Sequence, residues 1–312
     1  MFARNHTKEV LMILLLGFQT PQIWNSVLVL LFLVMFILTL VGNLLIIILV
    51  ARFQSLKSPM YFFLTQLSVC DMVLSTIIVP NMLDVISNGG RRISITGCIT
   101  QFFFYCVSEA TECFLLTVMS YDRYLAICSP LHYTSIMGYR LCFQLILLSW
   151  SLSFILTFIM VPLVSVIRFC GHVIDHYFCD LDPLLELSCT KHTVAEFVDL
   201  IIAIPSVTVP FFFVIFTYVS IFITILRITS SSGRQKAFST CSSHITVVCA
   251  YYGTAITIYI APSRWQSFNI KKAVSLLYTV ICPFVNPIIY SLRNQDLKRH
   301  LKRILSNTQG RF

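Results

Sequence analysis

Seven long apolar stretches limit the fold more than any other feature: Trp24–Val50, Pro59–Ile86, Ile95–Ile127, Leu141–Val164, Val194–Ile228, Ala237–Ile260 and Ala273–Leu292. About 20 mostly apolar residues are needed for a helix to cross the hydrocarbon of a bilayer. In lipid every backbone polar group must bond within the protein, so such stretches are expected as helices. Charged residues make up 11% of the chain against 57% hydrophobic, and the mean hydropathy is +0.84. A soluble domain carries about 25% charged residues, so most of this surface faces lipid. The expected fold class is an all-α membrane protein, a seven-transmembrane helix bundle.

Seven spans place the termini on opposite sides. With the N-terminus outside, the inner segments carry Arg52, Lys57, Arg140, Arg227, Arg234 and Lys236, and the tail adds Arg293, Lys298, Arg299, Lys302, Arg303 and Arg311. The outer segments carry the smaller set Arg4, Lys8, Arg91, Arg92, Arg168, Lys191, Arg264, Lys271 and Lys272. The bias favours an outer N-terminus. The expected division is an extracellular tail over 1–23, the bundle over 24–292, and an amphipathic helix with a cytoplasmic tail over 293–312. In that last segment Leu297, Leu301, Ile304 and Leu305 recur at helical spacing among basic residues, the pattern of a helix lying on the inner leaflet. The net charge of +9 is thus a topology signal, and no nucleic-acid partner is expected. Leu11–Leu16 is apolar but too short for a signal peptide, so the first span is expected to serve as its own insertion signal. Asn5-His6-Thr7 is a glycosylation acceptor if the N-terminus is outside.

Several polar groups fall at membrane depth: Asn43 beside Gly42, Asp71, Glu109, Glu112, and Asn286 in the sequence Asn-Pro-Ile-Ile-Tyr. Ionisable residues there face a bundle interior or a wet cavity. Pro287 frees a carbonyl that a neighbour must satisfy. Asn43, Asp71, Glu112 and Asn286 could line one polar core, holding either water or a cation, or forming a hydrogen-bonded packing network with no ion. Paired repeats that would mark a transporter are absent from the sequence, as is the His-Glu-x-x-His helix of an intramembrane enzyme. An enzyme is not expected.

Four strings carry a family resemblance: Pro59–Leu64 (PMYFFL), Met119–Cys128 (MSYDRYLAIC), Lys236–His244 (KAFSTCSSH) and Pro283–Asn294 (PFVNPIIYSLRN). In this order they resemble the motifs of odorant receptors of the class II type, within the rhodopsin-like G-protein-coupled receptors. The resemblance covers every span. It implies a receptor at the plasma membrane of olfactory cilia that binds a small volatile odorant and activates a stimulatory G protein of the Golf/Gs type to raise cAMP. Arg123 would rest against Asp122 in the off state and swing toward Tyr218 and the G protein when on, with Tyr124 completing the triplet and Tyr290 moving inward. Lys236, Ser239 and His244 would lie at the inner end of the sixth span, and Asn286 and Pro287 would break the seventh. Asp71 and Glu112 would hold a sodium ion, with no other cofactor. Ser120 stands where alanine is common, and Tyr251-Tyr252 where Phe-Tyr is usual; neither carries a functional argument.

Cys98, Cys170, Cys179 and Cys189 lie in outer loops, where disulfides form, and allow three pairings. The resemblance implies Cys98–Cys179 and Cys170–Cys189. His172 and His176 share the second outer loop, but two histidines without a third ligand make a weak metal site. For the odorant pocket, Tyr105, Cys106, Glu109, Ala110 and Cys113 share a face of the third helix. Ile202, Ala203 and Ser206 would join them from the fifth span, Tyr252, Ala255, Ile256 and Tyr259 from the sixth, and Leu276 and Thr279 from the seventh. Glu109 departs from the family pattern. It either stays protonated and bonds Tyr105, Tyr252 or a carbonyl, or it pairs with an amine- or hydroxyl-bearing odorant.

Overall fold

The computed structural model describes residues 12–19, 21–189, 193–260, 268–293 and 297–300; the side chains of 193, 236, 239–240, 255–260, 268–269 and 292–293 lie outside that description. Asn5, Leu301, Ile304 and Leu305 are also outside it. The helices are α1 (Gln22–Arg52), α2 (Pro59–Asn88), α3 (Ile95–Cys128), α4 (Pro130–Ile136), α5 (Tyr139–Ser165), α6 (Leu181–Glu186), α7 (Thr193–Ala203), α8 (Val209–Arg227), α9 (Ser231–Ile260), α10 (Phe268–Leu276) and α11 (Cys282–Arg293). A π-helical turn, Ile204–Thr208, joins α7 to α8, and another, Leu277–Ile281, joins α10 to α11. The fifth and seventh spans are therefore each continuous through a widened turn.

Among the described residues six spans are both long and apolar enough to cross a bilayer on composition alone. The sixth span in order, α9, is 30 residues long, and the side chains of its outer end, 255–260, lie outside the description. At 1.5 Å per residue the helix reaches about 45 Å, enough to span. Burial follows a stripe along each helix. In α1 it falls on Phe32, Met35, Thr39, Asn43, Ile46, Leu49 and Val50, steps of mostly three and four residues. The other faces of α1 leave Trp24, Leu30, Val34, Leu38 and Val41 exposed to the lipid.

Helix α3 is the axis of the bundle and packs against α2, α5 and α8. Ser94 starts it, its hydroxyl accepting from the Gly97 amide at 3.0 Å. Gly42 of α1 lies where an added Cβ would sit 3.1 Å from Pro287, so the first and seventh spans approach as closely as a glycine allows.

The outer face carries structure that the apolar pattern does not announce. Met12–Leu15 (β1) pairs antiparallel with Arg91–Ser94 (β2) and parallel with Val173–Ile174 (β3). Met12–Leu15, within the short apolar run, is thus the central strand of a small cap added to the helical bundle. Disulfides Cys98–Cys179 and Cys170–Cys189 tie the second outer loop to α3 and to itself. Lys272, only 1% exposed, clasps the cap to α10: its ammonium donates to Asp175 Oδ1 at 2.6 Å and to the Gly17 carbonyl at 2.8 Å.

Candidate functional site

Beneath the cap lies a cavity of about 510 Å³, within the ordinary range for small-molecule sites. Tyr105, Cys106, Glu109, Ala110 and Cys113 of α3 all line it. Ile202 and Ser206 face them from the fifth span, Ser206 within the π turn that widens the helix there. Tyr251, Ser275 and Tyr278 close the far wall, and His176, Asp180 and Asp182 form part of the roof. Tyr105 and Tyr278 join their hydroxyls at 3.1 Å across the cavity.

Four other expected pocket residues sit elsewhere. Tyr252 turns away, its hydroxyl 3.2 Å from Cys113 Sγ and its ring 5.3 Å from Phe211. Its neighbour Tyr251 takes the cavity wall and donates to the Glu109 carbonyl at 3.0 Å. Thr279 is buried against the loop, sharing a 3.0 Å hydrogen bond with Tyr177. Ala203 and Leu276 are not among the cavity-lining residues. The side chains of Ala255, Ile256 and Tyr259 lie outside the described residues. Sequence reasoning missed Tyr251, His176, Asp180 and Asp199. The charge of the last two was visible, but not the loop path that brings Asp180 to the cavity.

His176 is 4% exposed and packs edge-on to Phe178 at 4.7 Å. Burial first, and then the charges of Lys272 and Lys271, push its pKa down to about 3. Among the described residues no group of three metal-ligating side chains forms, so His172 and His176 do not assemble a metal site.

One level down, Asp71 and Glu112 are fully buried in the bundle centre. Asn286 donates to both Asp71 oxygens, at 3.1 and 3.2 Å. Glu112 Oε1 and Asn43 Oδ1 find no hydrogen-bond partner among the described residues. The Asn43 amide donates to the Pro283 carbonyl at 3.3 Å, the very group that Pro287 leaves without its helical donor. Two buried carboxylates beside orphaned oxygens form an all-oxygen donor set that fits a hard monovalent cation.

At the inner end, Asp122 is fully buried and accepts from Arg123 Nε at 2.9 Å and from the Tyr133 hydroxyl of α4 at 2.8 Å. Tyr218 of α8 bonds His244 of α9. Tyr290 is buried with its hydroxyl unpartnered among the described residues. Tyr124 packs beside Phe216, ring centres 6.5 Å apart. Lys236 and Ser239 fall on α9, their side chains outside the description. A single helix, α3, thus carries the cavity wall, a buried carboxylate and the inner arginine. Glu109 and Arg123 are about 21 Å apart along it.

The family model described as "Olfactory receptor" matches residues 32–308. The chain is 42% identical over 306 residues to the human protein named olfactory receptor 11L1, covering 98% of this chain and 95% of that one.

The chain belongs to the olfactory receptor family.

It is also 44% identical over 311 residues to rat olfactory receptor 226, covering 98% and 95%, and 44% identical over 303 residues to human olfactory receptor 6A2, covering 96% and 93%. The fold of this olfactory receptor is similar to that of squid rhodopsin, with a TM-score of 0.72 over 93% of this chain and 88% of that one at 16% identity. It is a multi-pass membrane receptor of seven helices and not an enzyme.

Proposed function

We propose that this olfactory receptor binds a small volatile odorant in the 510 Å³ cavity and activates a stimulatory G protein of the Golf/Gs type, raising cAMP. The observation that carries this is the continuity of α3, whose outer face lines the cavity and whose inner end holds the Asp122–Arg123–Tyr133 cluster. In the arrangement described, Arg123 is engaged by its neighbour and Tyr218 by His244, which is the resting side of the switch. A ligand that binds the opened state more tightly shifts the population toward it. Arg123 and Tyr218 then exchange partners, Tyr290 moves inward with its free hydroxyl, and the inner end of α9, with Lys236, Ser239 and His244, makes room for the G protein.

Asp71 and Glu112 hold a sodium ion in the resting state, with Asn286 orienting Asp71. The cation neutralises charge that burial otherwise penalises. The receptor works at the plasma membrane, in cilia, with Asn5 outside and open to glycosylation. The test is cAMP output in cells supplied with Golf and trafficking helpers, screened with volatile amines, alcohols and acids beside an Arg123→Ala control. A dose-dependent rise that the control loses supports the reading. A response that survives in Arg123→Ala overturns it.

A further inference from the structure

The charge lining the cavity is lopsided. Glu109 stands in the α3 wall, Asp199 in the outer turn of the fifth span, and Asp180 and Asp182 in the roof. Against these four carboxylates the described lining offers one cation, Lys271. Its ammonium lies 3.8 Å from Asp182 and 4.0 Å from Glu186. Among the described residues no lysine or arginine pairs with Glu109, Asp180 or Asp199.

Two further observations point to a ligand. Glu109 Oε2 is buried without a hydrogen-bond partner among the described residues. His176, 96% buried by its 4% exposure, lines the same cavity with Nδ1 equally unpartnered. The imidazole is uncharged there, so it adds no positive charge and can offer a lone pair. Oxygen acceptors and a neutral imidazole facing one enclosed space suit a donor-rich, positively charged guest.

The carboxylates stand at two depths. Asp180 follows Cys179, which is bonded to Cys98 at the outer end of α3. Glu109 lies eleven residues beyond Cys98 along that helix, about 16 Å at 1.5 Å per residue, while Asp180 hangs from the loop near enough for its charge to bear on Glu109. Phe102, Leu156, Met160 and Val207 add apolar surface to the same lining.

We propose that the cavity takes a dicationic ligand of the α,ω-diamine class, one ammonium against Glu109 at the base, the other between Asp180 and Asp199 at the mouth, with an aliphatic chain between. This rests on the reading of the cavity as the odorant site and names the class of odorant. The two ammonium groups supply each acidic level with the charge-assisted hydrogen bonds that no described lysine or arginine provides there. A monoamine satisfies only one level, and an alcohol neither.

The test uses the full-length receptor purified in detergent, and reads the shift of its melting temperature with 1,4-diaminobutane through 1,8-diaminooctane, 1-aminohexane and 1-hexanol. The expected result is a preferred diamine that binds at least about tenfold more tightly than the monoamine. The near-isosteric changes Glu109→Gln and Asp199→Asn should each weaken that diamine by about tenfold or more, while Asp199→Asn leaves 1-aminohexane unchanged. Equal affinity for diamine and monoamine overturns the proposal, and so does the absence of any diamine shift; neither result depends on a variant folding. The cAMP assay separates this inference from the broader reading. Neutral odorants that raise cAMP while diamines neither bind nor signal sink the inference alone. Diamines that bind without signalling leave the inference standing and sink the coupling.

Discussion

Removing one oxygen atom from α4 should make the receptor signal without ligand. In the resting arrangement the Tyr133 hydroxyl donates to Asp122 Oδ1 at 2.8 Å, while Arg123 occupies Oδ2. Asp122 is fully buried, so Tyr133→Phe leaves a carboxylate oxygen with one fewer donor and no water to replace it. A hydrogen bond to a charged group contributes about 1.5–3 kcal/mol. Tyr133 itself is half-buried, which argues for the lower end. If the bond exists only while Arg123 is held, about 1.5 kcal/mol raises the ratio of active to resting receptor roughly tenfold. The assay is ligand-free nucleotide exchange on a stimulatory G protein, normalised to receptor at the surface. Basal exchange should rise severalfold, with the melting temperature lowered by no more than a few degrees. Unchanged or reduced basal exchange at normal surface level would refute the reasoning, because it would mean that Tyr133 holds Asp122 equally in both states or favours the active one.

Other perturbations have equally definite outcomes. Lys272→Met removes two bonds from a buried ammonium; because Asp175 is 31% exposed and can rehydrate, the cost should be about 2–3 kcal/mol, seen as a melting temperature several degrees lower. Replacing both cysteines of a disulfide by serine should cost about 3 kcal/mol for Cys170–Cys189, which spans 19 residues, and about 4.5 for Cys98–Cys179, which spans 81; the reverse order would contradict a loop-entropy origin. His176, with its pKa pushed down to about 3, contributes stability above about pH 6.5 that is lost as pH falls, because the unfolded chain takes up a proton that the folded chain refuses. At pH 5.5 the loss is about 1.4 kcal/mol. His176→Gln should therefore show a shallower fall in melting temperature from pH 7.5 to 5.5 than the parent, and parallel curves would refute this. Asp180 acts in the opposite sense: burial foremost, opposed by the Leu181 amide and reinforced by Asp182 and Asp199, pushes its pKa up to about 7, and its contribution is lost as pH rises through that value. Replacing sodium by a bulky organic cation should lower the melting temperature of the parent and leave Asp71→Asn unmoved.

The sequence displays the spans because lipid permits only one solution for a long apolar segment. It is less direct where the bundle departs from plain apolarity. Helix α9 contains KAFSTCSSH, a string whose polar residues weaken the apolar signal at the inner end of the span. Strand β1 is hidden because its partners lie about 80 and 160 residues away, and a strand of four residues is too short to show a periodicity of its own. The α3 face of the cavity is legible from helical spacing alone. On α9 the choice between Tyr251 and Tyr252 turns on about 100° of helix rotation, which two adjacent tyrosines leave undetermined. Asp180 and His176 reach the cavity through a loop pinned by two disulfides and a buried lysine, a path no local pattern encodes.

The central claim is that an odorant acts by occupying the space beside α3. Ala110 lines that space, distant from both the cap and the inner arginine, so Ala110→Trp fills it while leaving the switch intact. Odorant-evoked cAMP should be measured in parent and variant side by side, with ligand-free signalling and surface staining as internal controls. The account predicts that the variant keeps its basal signal and loses the odorant response. A full response with the cavity filled would contradict it.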